Sequence, residues 1–327
     1  MPGTSAGKTA LITGVCGQDG TVLAEHLLGF GYRVVGIARR PPDTEQRTRL
    51  QAAHLVEVDI CEPSALHILL SDYRPDEVYH LAAFHHSTQD NAHHSDVQSK
   101  TAMVRTNFQS TAALAFAVLE TGVPCHLVFA ASSQMFTAAQ HCQLVDEATP
   151  REPSTFYGHT KSWSAQLLAH LCDESGLRAS TAILFNHESP FKRPQFVSRK
   201  IARAAAAAPL GRPIPLDLLN IGARVDWSSA HDVVRALHLM AASSQPRDYV
   251  VASGELHSVR QMLEIAFGHV GLDWQKFTTF RSDHDEPALC GNPRRLEETL
   301  GWKRTRSFAE IVVEMVDADI ARARAGA

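Results

Sequence analysis

The chain has 327 residues, 44% hydrophobic and 20% charged, which is enough to bury a core and too apolar for a disordered chain. Its formal net charge of −4 excludes an overall basic nucleic-acid binder. No stretch reaches the ~20 apolar residues of a membrane helix, and MPGTSAGKTALITG lacks the apolar run of a secretion signal, so a cytoplasmic protein is expected.

Lys8–Thr13 is a short apolar run and predicts a first strand. It leads into Gly14-Val15-Cys16-Gly17-Gln18-Asp19-Gly20 and then the helical pattern TVLAEHLLGF. Gly31 falls where a helix C-cap glycine belongs, and Tyr32–Ala38 reads as a second strand. Further strands are predicted at His54–Val58, Asp76–Ala83, Cys125–Ala131 and Ser180–Phe185. Helices are predicted at 62–72, 106–121 and 157–176. Strands separated by helices imply an α/β fold with a doubly wound parallel sheet. Beyond Asn186, prolines 190, 194, 209, 213 and 215 break the rhythm. The run Ala204–Ala208 reads as a close-packed helix face, and Ser258 with Gln261 and Ser307 with Glu310 have capping-box spacing.

Six cysteines (16, 61, 125, 142, 172, 290) are scattered without a CxxC pair and read as reduced thiols. His80, His85, His86, His93 and His94 match no common zinc spacing, so no metal site is expected.

The GxxGxxG turn, placed after a strand and before a helix, lets backbone amides approach a pyrophosphate at a helix N-terminus. The end of the second strand carries Arg39 and Arg40 where an NAD-binding acid usually sits, and the next acid is Asp43. Guanidinium groups suit a 2′-phosphate, so NADP(H) is the expected cofactor; solvated surface arginines are the alternative. Tyr157 and Lys161 are four apart on a predicted helix and share a face. A nearby ammonium lowers a phenol's pKa and makes it a usable base. Ser132 and Ser133 end the strand upstream, where a hydroxyl can orient a reacting oxygen.

The motifs ALITGVCGQDG, YHLAA, FYGHTK, LFNHESP, FVSRKI, ARVDW, YVVASGELHSVR and LGW fall in one order along the chain. In that order they resemble the extended short-chain dehydrogenase/reductases acting on nucleotide sugars, closest to the GDP-mannose 4,6-dehydratases. The resemblance implies a Rossmann fold with a smaller, discontinuous α/β substrate lobe. The expected division is 1–187 with 222–256 for the cofactor domain and 188–221 with 257–327 for the lobe. It also implies a tightly bound NADP, oxidation at sugar C4, a GDP-sugar substrate and a homodimer or homotetramer. By matching positions, Ser132, Tyr157 and Lys161 are the implied catalytic set, and Gly14, Gly17, Gln18, Asp19, Gly20 and Arg39 line the cofactor loop. Asp59 and Ile60 are implied on the adenine side, and Leu81, Ala82, Ala83, Leu184 and His187 along the cofactor. His85, Ser133, Asn186, Lys200, Arg224 and Arg281 are implied on the substrate side.

Several positions depart from the family pattern. Where the family carries Ser/Thr-Ser-Glu, this chain has Ser132-Ser133-Gln134, and in the family that glutamate handles the C5 proton. A carboxamide is badly suited to that step, which leaves a water, Glu188 or a nearby histidine as substitutes. The paired basic residues before Asp-Trp become Arg224-Val225, and Phe84-His85-His86 is bulkier than the family's QSH. Near the C-terminus, Arg281-Ser282-Asp283-His284-Asp285 replaces Phe-Arg-Pro-x-Glu. These changes favour a 4-keto-reductase or C4 epimerase slightly over a 4,6-dehydratase. A catalytically silent NADP-binding protein is the reading from another class, and the intact Ser132–Tyr157–Lys161 set argues against it.

Overall fold

A computed structural model describes residues 7–85, 96–137 and 144–325. Seven strands form one parallel sheet: Thr9–Thr13, Arg33–Ala38, His54–Glu57, Glu77–His80, His126–Ala130, Ala179–Leu184 and Tyr249–Val251. Counted along the chain, they lie side by side in the order 7-6-5-4-1-2-3. The order turns back at the first strand, so the connections leaving the paired first and fourth strands run to opposite sides and leave a crevice at their carboxyl ends. Register is fixed by pairs such as Leu11 with Val35 and Leu11 with Val78.

The first strand is buried throughout because both of its faces are covered. Leu11 joins one apolar cluster with Leu66, Leu114 and Leu168, whereas Ala10 and Ile12 join the opposite one with Leu23, Val233 and Leu237. Burying a Leu or Ile side chain contributes about 1.5–3 kcal/mol, so this alternation fixes the strand's register firmly.

The predicted strands and helices of this half are observed within one to three residues, and Gly31 has the positive φ (79°) expected after a helix. The expected helix at 106–121 is longer. It starts at Val97, passes through a π-helical segment at Val104–Gln109 and ends at Thr121. Such segments often lie at functional sites, and this one carries Asn107, whose side chain reaches the cleft described below.

After Leu184 the chain leaves the sheet, and it returns only for Tyr249–Val251. The excursion and the C-terminal third build a second apolar centre. Helices Val197–Ala207, Val259–His269 and Phe308–Ala325 pack there around Trp227, Leu263 and Val312. Ala204, Ala205 and Ala206 form the close-packed helix face the alanine run predicts. The capping boxes at Ser258 and Ser307 are both formed. Asp226 ties the lobe to the sheet region by accepting from the amides of Ser253, Gly254 and Gly291.

Candidate functional site

The cleft begins with the turn after the first strand. Gly14 takes φ 73°, and a Cβ there would lie 2.9 Å from the Ala82 backbone. Gly17 donates its amide to the Gly14 carbonyl (2.8 Å) and caps the helix Gln18–Gly29, while a Cβ on Gly20 would strike that same carbonyl. The turn thus brings a helix N-terminus close under the sheet edge, where its amides favour an anion. Leu81, Ala82 and Ala83 follow the fourth strand across the crevice, with the Ala82 amide held by Thr13 Oγ1 at 3.2 Å.

Behind the turn, Gln18 donates to the His187 carbonyl and accepts from Ser189, and Lys192 Nζ donates to that same carbonyl (2.8 Å). Asp19 and His187 form an ion pair at 2.9 Å. Burial is the largest single influence and opposes both charges, but the partner's charge and hydrogen bonding together outweigh it, so Asp19 sits below and His187 above the ordinary value. Leu184 ends the neighbouring strand and is buried.

At the end of the second strand, Arg39 and Arg40 are exposed. Asp43 is engaged elsewhere, capping the helix Thr44–Arg49 through Gln46. Arg193 approaches from the segment after His187, and burial together with the Arg40 and Arg39 charges pushes it below its ordinary pKa. Arg193, itself exposed, thus feels the charges of Arg39 and Arg40, and the three form a cationic patch at the end of the second strand. Sequence reasoning missed Arg193 because nothing in a proline-broken stretch signals that it folds back. Asp59 accepts the Cys61 amide and pairs with Arg105 at 3.0 Å, beside buried Ile60. The cradle and the three arginines fit a nicotinamide dinucleotide, which would supply the hydride acceptor or donor.

The catalytic trio converges at the other end of the cleft. Ser132 leads into a 3-10 turn, Ser133–Met135, and its hydroxyl accepts the Gln134 amide (3.2 Å) while touching the Tyr157 phenol. Tyr157 lies in the first turn of the helix Phe156–Ser175, capped by Thr155. A Cβ on the next residue, Gly158, would strike the Gln134 carbonyl, so glycine is what lets this helix dock against the serine turn. Lys161 is 1% exposed and donates to the Ala130 carbonyl at 2.7 Å.

One expectation needs correction. Lys161 Nζ stands 5.9 Å from the Tyr157 ring centroid and bonds backbone, not the phenol. Burial pushes the Tyr157 phenol above its ordinary value, and the Ser132 hydrogen bond offsets only part of this. Burial also pulls the Lys161 ammonium down to about 7. The pair therefore rests as a neutral phenol beside a lysine poised near neutral pH.

Gln134 occupies the corner beside this trio. Its Oε1 accepts from Thr155 Oγ1 (3.0 Å), and its Nε2 lies 3.2 Å from His85 Nε2. His85 meets Tyr157 edge to face with ring centroids 4.4 Å apart and lies parallel to Phe196. Asn107 holds the backbone leading to it, accepting from the Phe84 amide (2.7 Å) and donating to the Phe84 carbonyl (3.1 Å). Glu188 is engaged elsewhere: it is 3% exposed and accepts from Ser198 at 2.6 Å, with Lys192 at 3.5 Å. His80 is buried in the sheet, bonded to Thr13, Ser110 and Thr111. His86, His93 and His94 lie outside the described residues.

The remaining substrate-side residues are more dispersed. Asn186 is exposed at the start of the short strand Asn186–Glu188, and Lys200 lies on the helix Val197–Ala207. Arg224 pairs with Asp285 at 2.6 Å, and Arg281 stands 3.9 Å from Asp217 on a separate two-stranded sheet. Both pairs are largely exposed.

A profile of the family described as GDP-mannose 4,6 dehydratase matches residues 11–315. GDP-mannose 4,6 dehydratase 2 of Arabidopsis thaliana is 35% identical over 97% of this chain and 88% of its own. The Homo sapiens GDP-mannose 4,6 dehydratase is 33% identical over 96% and 91%. Among solved structures, UDP-glucose 4-epimerase of Thermotoga maritima with UDP-glucose superposes with a TM-score of 0.82 at 20% identity, covering 97% of this chain and 99% of that one. RMD from Pseudomonas aeruginosa complexed with NADPH gives 0.80 at 19% identity, covering 96% and 100%. The second pair shows the shared fold; the first pair and the profile, joined to a glycine cradle and a Ser132–Tyr157–Lys161 set in one crevice, make this chain a member of the GDP-mannose 4,6-dehydratase family of extended short-chain dehydrogenase/reductases.

Proposed function

We propose that this protein transfers hydride between NADP(H) and C4 of a nucleotide sugar, with a GDP-sugar as the favoured class. The observation that carries the reading is the meeting of Ser132 and Tyr157 at the open end of a cleft whose other end gathers Arg39, Arg40 and Arg193. Tyr157 takes or gives the proton on the C4 oxygen, Ser132 positions that oxygen, and Lys161 holds the Ala130 carbonyl at the end of the strand that leads to Ser132. NADP is favoured over NAD because Arg39 and Arg40 stand where a ribose-binding acid would otherwise sit, Arg193 lies within reach of their charges, and Asp43 is occupied as a cap.

Gln134 sets the finer reading. Oxidation at C4 acidifies C5–H, but a carboxamide neither accepts nor delivers a proton at working pH. A 4-keto-reductase or C4 epimerase is therefore favoured over elimination of water. The second reading, a 4,6-dehydratase with a substitute base, draws support from family membership and from the imidazole beside Gln134. A homodimer or homotetramer is also proposed, supported by half-exposed Phe116 and Trp163 on the outer helices. No helix among the described residues is long and apolar enough to cross a membrane, and a cytoplasmic location away from nucleic acid is proposed on charge and composition.

Calorimetric titration with NADP(H) and NAD(H), followed by incubation with 4-keto and ordinary nucleotide sugars, tests the proposal. Tighter NADP(H) binding and NADPH oxidation with a 4-keto sugar are expected. Equal cofactor affinities overturn the arginine argument, and absence of hydride transfer overturns the C4 reading.

A further inference from the structure

We propose that the buried Arg199–Asp319 ion pair is a positioning device for cofactor choice: by holding the Lys192 carbonyl it aims Arg193 at the 2′-phosphate, and so widens the preference for NADP(H) over NAD(H). The proposal rests on the NADP reading, since only a 2′-phosphate gives Arg193 an anion to meet.

The segment 189–196 joins the short strand Asn186–Glu188 to the helix Val197–Ala207 and crosses the cofactor side on its way. Ser189 Oγ donates to Gln18 Oε1 at 3.1 Å, at the start of the helix behind the glycine turn. The Arg49 guanidinium, on the helix Thr44–Arg49 that follows Arg39 and Arg40, lies 4.8 Å from the Phe191 ring centre. The Lys192 amide donates to the Ser189 carbonyl at 3.1 Å, and the Phe196 amide to the Arg193 carbonyl at 3.3 Å. Arg193 thus stands between two turns, within reach of the Arg39 and Arg40 charges.

What fixes its place comes from the lobe. Arg199 Nε donates to the Lys192 carbonyl at 3.1 Å. That carbonyl and the Arg193 amide belong to one planar peptide, so holding the first sets the direction in which Arg193 leaves. Arg199 is itself held. It is 5% exposed, and both of its terminal nitrogens donate to the Asp319 carboxylate, which is 7% exposed, one of them at 2.8 Å. A two-pronged pair fixes the guanidinium plane, which leaves Nε one direction to point.

The chain of contacts then returns to where it began. Arg322 donates to Asp319 at 2.9 Å and to Glu45 at 2.9 Å. Glu45 is on the same short helix as Arg49, so Glu45, Arg322, Asp319, Arg199 and the Lys192 carbonyl link the cofactor side to itself through the lobe. An exposed arginine loses side-chain freedom when it meets a ligand, and a backbone already fixed beneath it lowers that cost.

Calorimetric titration with NADP(H) and NAD(H) tests this, with the melting temperature read for each variant. Arg199→Met combined with Asp319→Leu removes both buried charges together, which keeps the lobe folded where one unpaired charge would not. It should narrow the NADP(H) preference by about threefold to tenfold, at most the worth of the Arg193 contact, and leave NAD(H) affinity unchanged. In the Arg193→Ala background the same two substitutions should narrow it no further. Arg199→Lys, which keeps a charge opposite Asp319 but has no guanidinium Nε–H, is the second variant and should narrow the preference as well. A wild-type preference in a folded variant, equal weakening of both cofactors, or further narrowing in the Arg193→Ala background overturns the positioning role. Equal binding of NADP(H) and NAD(H) by the wild type overturns instead the cofactor reading on which it rests.

Discussion

The cofactor end and the substrate end of the cleft are held in different ways. At the cofactor end, backbone geometry does most of the holding: a glycine turn that admits no Cβ, a capped helix and the Asp19–His187 ion pair. At the substrate end of the lobe, exposed pairs such as Arg224–Asp285 and Arg281–Asp217 stand on separate small sheets. Exposed pairs contribute about 0–1 kcal/mol, whereas a backbone that must take φ 73° tolerates almost nothing but glycine. The first end is thus tightly constrained in sequence, and the second is free to change its specificity. The positions read from the sequence as departures from the family pattern, Phe84, His85, His86, Gln134, Val225 and 281–285, all lie outside this glycine turn.

The largest effect that sharpens this comparison is expected at the chemical centre between the two ends. Tyr157→Phe should lower turnover by about 100- to 10,000-fold while leaving NADP(H) affinity nearly intact, measured by steady-state rates beside calorimetric titration. Comparable losses in both would mean that the hydroxyl serves the fold.

Breaking the cofactor end comes next. Gly20→Ala drives a Cβ into the Gly14 carbonyl and should weaken cofactor binding by about tenfold or more, with a lowered melting temperature. Arg193→Ala should instead leave the melting temperature nearly unchanged. It should narrow the preference for NADP(H) over NAD(H) by about tenfold, the worth of one charge-assisted contact. If it weakens both cofactors equally, Arg193 does not face the 2′-phosphate.

The substrate end should give the smallest response. Arg281→Ala, which disturbs only an exposed contact, is expected to raise KM by about fivefold at most and to leave kcat alone. A collapse of kcat would place Arg281 in the chemistry.

Stability should also vary with pH in a defined direction. Burial holds His26 and His126 down to about 4 and His80 to about 3, so the folded state excludes protons that the unfolded chain accepts near 6.5. Their contribution is complete above pH ~6.5 and is lost as pH falls, by up to about 1.4 kcal/mol per pH unit for each group. His187 opposes this, because its raised pKa favours the folded state at low pH. Burial lowers His238 as well, so with four histidines against one the melting temperature, followed by calorimetry, should fall steadily from pH 7 to pH 5.

The two ends also differ in how much of them could be read in advance. Gly14, Gly17 and Gly20 announce their turn because only glycine meets the local backbone requirement, and the strand–helix rhythm follows from short-range hydrophobic patterning. Tyr157 and Lys161 are visible as a pair four apart, although their protonation is not, since it depends on burial by distant strands. Arg193, Asn107 and the Thr155–Gln134–His85 chain were out of reach. Each depends on segments tens of residues apart coming together, and Asn107 also on a π-helical turn that no periodicity marks.

The central claim is NADP-dependent hydride transfer at C4 that stops short of elimination. Mass spectrometry of the wild-type protein incubated with GDP-mannose and a panel of other nucleotide sugars, with and without NADP(H), tests it most directly. The account predicts either a gain of two hydrogens by a 4-keto sugar or an unchanged mass with inverted C4, in both cases dependent on the cofactor. Efficient NADP-dependent loss of water from GDP-mannose would contradict it.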